Sequence, residues 1–174
     1  MIKGKNISLR AMEASDVELI HVWENDPENW LVSATLIPFS KDQLHHWVTA
    51  EHDLIKEGQF RFMIVEGDNR VVGTLDLFEY NPLHRRCGVG ILIGDQEDRG
   101  KGYAKEALQL IIEHGWSRLH LRQWWCTILD NNAVSKSLFE QLGFTCSGRR
   151  KDWICHEGKW LDLLDYQLLR EDFK

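Results

Sequence analysis

The segment IGDQEDRGKGYAKEAL (residues 93–108) places a glycine-rich, mixed-charge turn between an apolar segment and a helical pattern. The first amides of a helix have no partner inside it, and the aligned peptide dipoles leave partial positive charge there. Gly100 and Gly102 carry no side chain, so an anion can approach those amides closely. Arg99 and Lys101 add full positive charges beside them. The turn therefore predicts a phosphate or pyrophosphate site, and an ordinary strand-to-helix connection is the alternative.

A second motif, NNAVSKSLFEQLGF at residues 131–144, narrows the choice of phosphate ligand. The sequence has no match to the Walker pattern Gly-x-x-x-x-Gly-Lys-Ser/Thr, and a dinucleotide fingerprint needs a third glycine where Lys105 stands. Together, RGKGYA and N-x-x-S-x-x-x-F-E-x-L-G-F resemble the signature of the GNAT superfamily of acetyl-coenzyme A-dependent N-acetyltransferases. The resemblance extends over nearly the whole chain. The nearest subgroup contains spermidine acetyltransferases and ribosomal-protein N-terminal acetyltransferases.

Hydrophobic periodicity predicts the order of elements along the chain. The order is a strand, two helices, three strands, a helix, a strand, a helix and two strands. The first helix is predicted to start at a capping box of Ser15 and Glu18, and the second to start at Ser40 and Gln43 and run to Gly58. The prolines are expected to mark loops. This order predicts a mixed α/β sheet with one parallel crossing.

The resemblance implies the GNAT fold in a single domain that spans residues 1–174. We expect an α/β (α+β) architecture with a mixed central sheet of about six to seven strands and about four helices. The sheet should splay between strands four and five, which correspond to the segments HRRCGVGILI and LRQWWCTIL. Gly88 and Gly90 would lie near the bulge that opens this splay.

Composition argues against several classes of function. The net charge of −6 disfavours nucleic acid and is compatible with a cationic substrate. No apolar run reaches the roughly 18 residues of a membrane helix. The start MIKGKNISLR has no segment suited to a signal peptide, so no membrane association and a cytoplasmic location are expected. The four cysteines form no Cys-x-x-Cys pair and predict buried thiols, and the spacing of the eight histidines does not indicate a metal site.

The resemblance gives acetyl-coenzyme A (acetyl-CoA) as the co-substrate and implies its contacts. The turn residues would hold the pyrophosphate through backbone amides, and the end of strand four would pair with the pantetheine arm and polarise the thioester carbonyl. The start of the NNAVSKSLFEQLGF helix would contact the coenzyme from the other side of the splay. The residues concerned are Ile91, Leu92, Ile93, Arg99, Gly100, Lys101, Gly102, Tyr103, Ala104, Asn132 and Ser135.

Acetyl transfer to an amine requires that the amine lose its proton, since an alkyl ammonium has a pKa near roughly 10.4. The segment VVGTLDLFEYNPLHRR offers Asp76, Glu79 and His84, of which Glu79 is the first choice for contact with the amine. In a regular strand Asp76 and Glu79 would face opposite sides, so only a bulge or the strand end brings both into one site. A solvated carboxylate is the alternative for each. Many members of the family have a tyrosine that protonates the departing thiolate where this chain has Phe139.

The sequence therefore predicts a transferase, an N-acetyltransferase that acts on a small primary, polyamine-like amine. Direct attack in a ternary complex is expected because no Cys or Ser stands in a nucleophile–base arrangement. Two alternatives stay open: an enzyme whose acceptor is a protein N-terminus, and a catalytically weak regulatory module that binds acetyl-CoA. The polyamine enzymes that the chain resembles carry acidic residues around the second helix, whereas the segment WLVSATLIPFS (residues 30–40) is almost uncharged, and this weakens the spermidine assignment. A homodimer is compatible with all three functions.

Overall fold

The computed structural model describes residues 1–33 and 35–173, without the side chain of Val32. Ala34, which belongs to the nearly uncharged segment, lies outside the described residues. Contacts divide the chain into two compact units, one of residues 1–10 with 53–174 and the other of residues 11–52. The first unit contains every residue predicted to bind the coenzyme or the amine. In the part of the chain that the structure describes, no helix is long and apolar enough to cross a membrane.

The described residues form a mixed sheet of eight strands, which belongs to the first unit except for the last residue of its second strand. The strands are β1 (Ile2–Lys3), β2 (Ile7–Ala11), β3 (Phe60–Glu66), β4 (Arg70–Asn81), β5 (Arg86–Ile93), β6 (Gln123–Leu129), β7 (Thr145–His156) and β8 (Lys159–Leu169). Their order across the sheet is β1-β2-β3-β4-β5-β6-β8-β7, and β5 pairs with β6 in parallel. The predicted mixed sheet with one parallel crossing is confirmed. It exceeds the expected strand number because the short β1 also pairs with β2.

The described part of the chain contains six α-helices. They are α1 (Val17–Glu24), α2 (Pro27–Ser33), α3 (Lys41–Thr49), α4 (Leu54–Glu57), α5 (Tyr103–Ser117) and α6 (Ala133–Glu140). The first three belong to the second unit and the last three to the first. The helices outnumber the expected four because α2 was not predicted and because one predicted helix is divided into α3 and α4.

Helix α5 supplies much of the core of the first unit. Its residues Ala107, Leu108, Ile111 and Ile112 recur at helical spacing and are fully buried. A fully buried Leu or Ile side chain contributes roughly 1.5–3 kcal/mol, so this face fixes the helix against the sheet. Gly115 lies inside α5, which continues to Ser117. A Cβ at that position would lie 2.2 Å from the Trp124 ring, so the glycine is needed for close packing of α5 on β6.

The first predicted capping box is wrong. Glu13 and Asp16 form the reciprocal bonds instead, and the Glu13 amide donates to Asp16 Oδ2 at 2.8 Å. A short 3-10 turn therefore precedes α1, and Ser15 lies inside that turn. The carboxylate of Glu18 accepts a hydrogen bond from Lys41 Nζ at 2.6 Å.

The second capping box is confirmed, because Ser40 and Gln43 bond reciprocally at the start of α3. The helix does not continue to Gly58, however. Ala50 is extended (φ −65, ψ 158), and the Asp53 side chain accepts from the amides of Ile55 and Lys56, so it caps a separate helix α4. Gly58 ends that helix in the left-handed conformation, with φ 69.

One proline departs from its predicted role. Pro27 is the first residue of α2, a position that suits proline because its missing amide would have no partner there. The Asp26 side chain accepts from the Glu28 amide at 2.9 Å in the same turn. Pro38 and Pro82 lie outside helices and strands, as predicted.

Candidate functional site

The parallel pair β5–β6 opens into a wedge. The paired residues end at Gly88 and Trp125, although β5 continues to Ile93 and β6 to Leu129. Beyond that point β5 still pairs with β4 through residues 91–93, and β6 still pairs with β8. One edge of residues 91–93 therefore borders the wedge. The predicted splay between these two strands is confirmed.

A β-bulge lies in β4 next to the start of the wedge. Phe78 pairs with Gly88 and Asn81 pairs with Arg86, so two residues of β4 stand opposite one residue of β5. Glu79 belongs to this bulge and has φ 47, a left-handed conformation that is uncommon for a residue with a side chain. A bulge bends its strand and changes the direction of nearby side chains. This is the departure from regular strand geometry that a shared site for Asp76 and Glu79 requires.

Two aromatic rings lie where the strands separate. The Phe78 ring packs over Gly88, since a Cβ there would lie 2.3 Å from Phe78 Cε2. The rings of Phe78 and Trp125 meet edge to face, with centroids 5.0 Å apart. At Gly90 the nearest atom would be 3.6 Å from an added Cβ, which is ordinary contact. Gly88 thus accommodates an aromatic residue of the chain itself, and the bulge lies in β4 opposite it.

The predicted anion-binding turn leads directly into α5. After a 3-10 turn at Gln96–Asp98, Gly100 has φ 78 and Gly102 has φ 86. A Cβ at either glycine would meet no heavy atom within 4 Å. Gly102 is the N-cap of α5 and offers no side chain, whereas α3, α4 and α6 each begin at a side-chain cap. The exposed Arg99 directs Nε toward the carbonyl of Ile93 at 3.5 Å. The turn therefore presents the first amides of α5 beside open space.

A network of charged side chains supports this turn. The Asp98 side chain is only 3% exposed and accepts two hydrogen bonds from Arg70, at 2.7 and 2.9 Å, and one from Lys101 Nζ at 2.9 Å. Arg70 Nε also donates to Glu66 at 2.7 Å, and Glu66 accepts the Tyr103 hydroxyl. The bonds from Arg70, and secondarily from Lys101, lower the pKa of Asp98 to about 2. Residues on both sides of the turn are thus tied to the hairpin of β3 and β4.

This network changes the expected electrostatics of the turn. Lys101 was expected to offer a full charge to the anion, but its ammonium is paired with Asp98. Tyr103 is buried, and its hydrogen bond to Glu66 raises the pKa of its hydroxyl. The positive potential at the turn therefore comes mainly from the backbone amides and Arg99.

Asn132 and Ser135 lie at the start of α6. The Asn132 side-chain oxygen accepts from the Ser135 amide at 3.0 Å, so Asn132 caps the helix. Capping alone accounts for asparagine at this position. The side-chain nitrogen of Asn132 and the hydroxyl of Ser135 are the groups that this bond does not use.

The three residues predicted to act on the amine lie on β4 and the turn that follows it. The Arg61 guanidinium donates two hydrogen bonds to the Asp76 carboxylate, from Nε to Oδ1 at 2.6 Å and from Nη2 to Oδ2 at 3.0 Å. Glu79 is exposed at the bulge. His84 is exposed in the β4–β5 turn, where its amide donates to Asn81 Oδ1 at 2.8 Å. The carboxylate of Asp76 is therefore occupied, and Glu79 is the more accessible group.

Phe139 lies in the hydrophobic core. It is 4% exposed, and its ring meets that of Phe144 edge to face with centroids 5.0 Å apart. Packing therefore accounts for the aromatic ring, which has no proton to donate. The correspondence of this position with the family's proton donor stays a prediction.

Comparison with known proteins identifies the family. Residues 6–145 match the model of the acetyltransferase (GNAT) domain. The chain belongs to the GNAT acetyltransferase family. It is 26% identical over 171 residues to the SPbeta prophage-derived uncharacterized N-acetyltransferase YokL of Bacillus subtilis, covering 98% of this chain and 94% of that protein. It is 24% identical over 172 residues to a spermidine N(1)-acetyltransferase of Vibrio cholerae, covering 98% and 96%.

The GNAT fold is also shared with a solved structure. The spermidine N-acetyltransferase from Vibrio cholerae in complex with CoA and spermine matches with a TM-score of 0.84 at 22% identity, covering 97% of this chain and 98% of that one. The predicted enzyme class, an acetyl-CoA-dependent N-acetyltransferase, is confirmed by the family and the names of the relatives. Some relatives are named for spermidine and others only as N-acetyltransferases, so the family sets the reaction type and not the acceptor.

Of the four free cysteines of this GNAT protein, two are buried and two are exposed. Cys87 and Cys126 are buried as predicted, and burial raises the pKa of the Cys87 thiol to about 12 and that of Cys126 as well. Such thiols are poor nucleophiles at neutral pH. Cys146 and Cys155 are exposed on β7, so the prediction of buried thiols is wrong for them. Across residues 1–33 and 35–173, no group of three His, Cys, Asp or Glu side chains is placed to hold a metal ion.

Two residues that contact the candidate site's turn or wedge were missed from the sequence, Arg70 and Phe78. Arg70 is 28 positions from Asp98, and no local spacing relates them. The packing of Phe78 against the neighbouring strand could have been predicted from the sequence. A glycine inside a strand, such as Gly88, indicates that something bulky approaches its backbone, and an aromatic residue of the neighbouring strand is the simplest candidate.

Proposed function

We propose that this GNAT protein transfers the acetyl group of acetyl-CoA to a small primary amine. The observation that carries the proposal is the presence, in one unit, of a wedge between β5 and β6 and a left-handed glycine turn at the start of α5. The wedge offers unpaired strand backbone to an extended polar arm, and the turn offers amides to a pyrophosphate. Coenzyme A contains both of these groups in one molecule.

The pyrophosphate would be held by the backbone from Arg99 to Ala104. Gly100 and Gly102 adopt conformations that side chains rarely allow, and the space beside both is open. Amides in a helix N-terminus attract an anion through their partial charge and direct hydrogen bonds. The exposed guanidinium of Arg99 supplies the accompanying full charge.

The pantetheine arm would lie along the wedge. The edge of Ile91, Leu92 and Ile93 that borders the wedge carries amide and carbonyl groups, which suit the amides of the arm. A backbone amide there would also polarise the thioester carbonyl, as required for attack by an amine. From the other side, Asn132 would contribute its side-chain nitrogen and Ser135 its hydroxyl, the groups left free by the helix cap.

Glu79 would hold the amine and accept its proton. Its carboxylate is exposed at the bulge of β4, next to the start of the wedge. Asp76 has a different role in this proposal, because the fork from Arg61 occupies its carboxylate and joins β3 to β4. His84 lies in the turn after the bulge, where it would serve as a second proton acceptor.

Departure of the CoA thiolate requires less catalytic assistance than deprotonation of the amine. A thiol with a pKa near roughly 8.5 leaves as a fairly stable anion at neutral pH. A positioned acid is typically worth about 10² to 10⁴ in rate, which is a minor share of enzymatic acceleration. A buried phenylalanine at position 139 is therefore compatible with turnover.

The acceptor is proposed to be a small cationic amine. Relatives named as spermidine N-acetyltransferases and the net charge of −6 support this class. The family resemblance weakens spermidine itself as the acceptor, because the sequence of residues 30–40 lacks the acidic residues that the polyamine enzymes carry around the second helix.

The test is release of the CoA thiol from acetyl-CoA in the presence of a panel of acceptors. The panel contains monoamines, diamines, spermidine, spermine and peptides with free N-termini. We expect release that depends on a small amine, with a matching acetylated product by mass spectrometry. Release that occurs only with peptides would show a protein N-terminal acetyltransferase. Tight acetyl-CoA binding with no acceptor-dependent release would show a regulatory module instead.

A further inference from the structure

The glycine turn is fastened at both ends to the hairpin of β3 and β4. Asp98 precedes the turn and is bonded to Arg70, and Tyr103 follows it and is bonded to Glu66. Arg70 and Glu66 are themselves hydrogen-bonded at 2.7 Å, which closes a ring of side chains around the turn. The turn has only short side chains or exposed ones between these two anchors, so this ring is the main constraint on its path.

We propose that Arg70 and Asp98 are positioning residues that hold the glycine turn in its pyrophosphate-binding form. This inference rests on the proposed function and adds a residue pair outside the turn's sequence motif. Arg70 donates both terminal nitrogens to Asp98, and a bidentate pair fixes orientation as well as distance. The half-exposed Arg70 thereby fixes the position of the Asp98 carboxylate, which is almost fully buried.

The ring also determines which charges the coenzyme meets. Asp98 and Glu66 balance Arg70 and Lys101, so the four groups have no net charge. Removing the Asp98 charge would free the ammonium of Lys101 and leave the Arg70 guanidinium without its main partner. The turn would then gain a cation but lose its fixed backbone. If positioned amides dominate binding, affinity falls despite the added positive charge, and if cations dominate, affinity rises.

The experiment compares two acetyl donors in Asp98→Asn and Arg70→Gln. Acetyl-CoA contains the pyrophosphate, and S-acetylpantetheine has the same thioester arm without it. We expect both variants to raise the Kd of CoA by calorimetry at least tenfold, and the KM of acetyl-CoA similarly. Their kcat/KM with S-acetylpantetheine should stay within about twofold of wild type. Circular dichroism and thermal unfolding establish that each variant is folded.

The matched control is Asp165→Asn. Asp165 accepts a similar fork from Arg150 on β7, so this variant loses the same type of ion pair at another place in the sheet. It should leave the Kd of CoA unchanged. A Kd that is unchanged or lowered in both Asp98→Asn and Arg70→Gln would overturn the inference, as would a parallel loss with both donors or an equal loss in Asp165→Asn.

Failure of the proposed acetyl transfer can be distinguished from failure of the positioning role of Arg70 and Asp98. If the wild type binds CoA but acetylates no amine, the calorimetric comparison of the same variants still decides the positioning role. If the wild type does not bind CoA, both the function and the inference are wrong. Should Asp98→Asn be unfolded, Arg70→Gln provides the same comparison from the exposed side of the pair.

Discussion

At the scale of single residues, Glu79 combines a strained backbone with an exposed carboxylate. A residue with a side chain in the left-handed region costs of order 1 kcal/mol, and such residues concentrate at functional sites. Glu79 has φ 47 in the bulge of β4, whereas Asp76 on the same strand is regular and paired with Arg61. These differences support the proposal that Glu79 binds the amine and that Asp76 has a structural role.

Glu79→Gln keeps the shape of the side chain and removes its charge and basicity. We expect kcat/KM for the amine to fall about tenfold or more, since a lost charge contact of about 1.4 kcal/mol already gives that factor. The Kd of acetyl-CoA should change little, because the turn and wedge are built from other residues. Steady-state kinetics and calorimetry together check this. A loss that appears in coenzyme binding would show that Glu79 is structural.

Phe139→Tyr adds a hydroxyl inside the core. The ring is 4% exposed and packs against Phe144, so the hydroxyl would be buried, at a cost of about 1–3 kcal/mol if it finds no partner. We expect lower stability in urea unfolding and no gain in kcat between pH 6 and 9. A tenfold rise in kcat would contradict this expectation and show that the hydroxyl reaches the departing thiolate.

At the scale of elements, the start of the wedge depends on the packing of Phe78 over Gly88. Trp125 contacts the same ring from β6, so one aromatic pair lies at the point where β5 and β6 separate. A side chain at Gly88 would displace the ring, but one at Gly90 would find space. The two glycines of β5 therefore provide a matched comparison.

Gly88→Ala should destabilise the protein by about 1–3 kcal/mol, the usual cost of overpacking. The added Cβ would be 2.3 Å from the Phe78 ring, compared with 3.6 Å in the control Gly90→Ala. Gly90→Ala should lie within about 0.5 kcal/mol of wild type. Urea unfolding of both variants tests the difference. Equal stabilities would mean that Phe78 moves freely and does not define the start of the wedge.

Some signals confined to a few neighbouring residues could be read from the sequence. The capping box of Ser40 and Gln43 was confirmed, and Gly58 ends a helix as predicted, although that helix is the separate α4. The capping box of Ser15 and Glu18 was wrong because Glu13 and Asp16 form the reciprocal bonds instead. The break between α3 and α4 was missed because the helical spacing of apolar residues continues through it. Asp53 competes locally for the backbone amides, and that competition decides the outcome.

Side-chain bonds between residues that are distant along the chain could not be predicted from local sequence signals. The splay and the role of the turn were expected through the family resemblance, but the bond between Arg70 and Asp98 joins positions 28 apart. Lys101 was expected to face the anion because its partner, Asp98, was not known to be buried beside it. Burial of a charged side chain depends on the assembled fold, so it follows from the structure and not from spacing.

At the scale of the whole molecule, the buried Asp98 links stability to pH. Its pKa is lowered from the ordinary value of 3.8 to about 2, chiefly by Arg70. A depressed pKa in the folded state contributes stability that is fully present above the unfolded value and is lost as the pH falls through the folded value. Asp98 therefore stabilises the fold above about pH 4, and this contribution disappears toward pH 2.

Asp98→Asn should accordingly be less stable than wild type at neutral pH, with a constant difference down to about pH 5. The difference should shrink between about pH 4 and pH 2, since wild type then loses the charge that the variant lacks. Unfolding curves of the two proteins across this range check the prediction. A difference that does not depend on pH would mean that the Asp98 charge does not contribute.

The central claim is that the left-handed glycine turn binds the coenzyme, and Gly102→Val tests it most directly. Its control is Gly158→Val, because Gly158 has φ 76 and is equally free of neighbours within 4 Å but lies in the β7–β8 turn. Both substitutions impose the same type of backbone strain, so calorimetry with CoA isolates the effect of location. The account predicts a Kd at least tenfold higher for Gly102→Val, about 1.4 kcal/mol or more, and an unchanged Kd for Gly158→Val. An unchanged Kd in a folded Gly102→Val would contradict it.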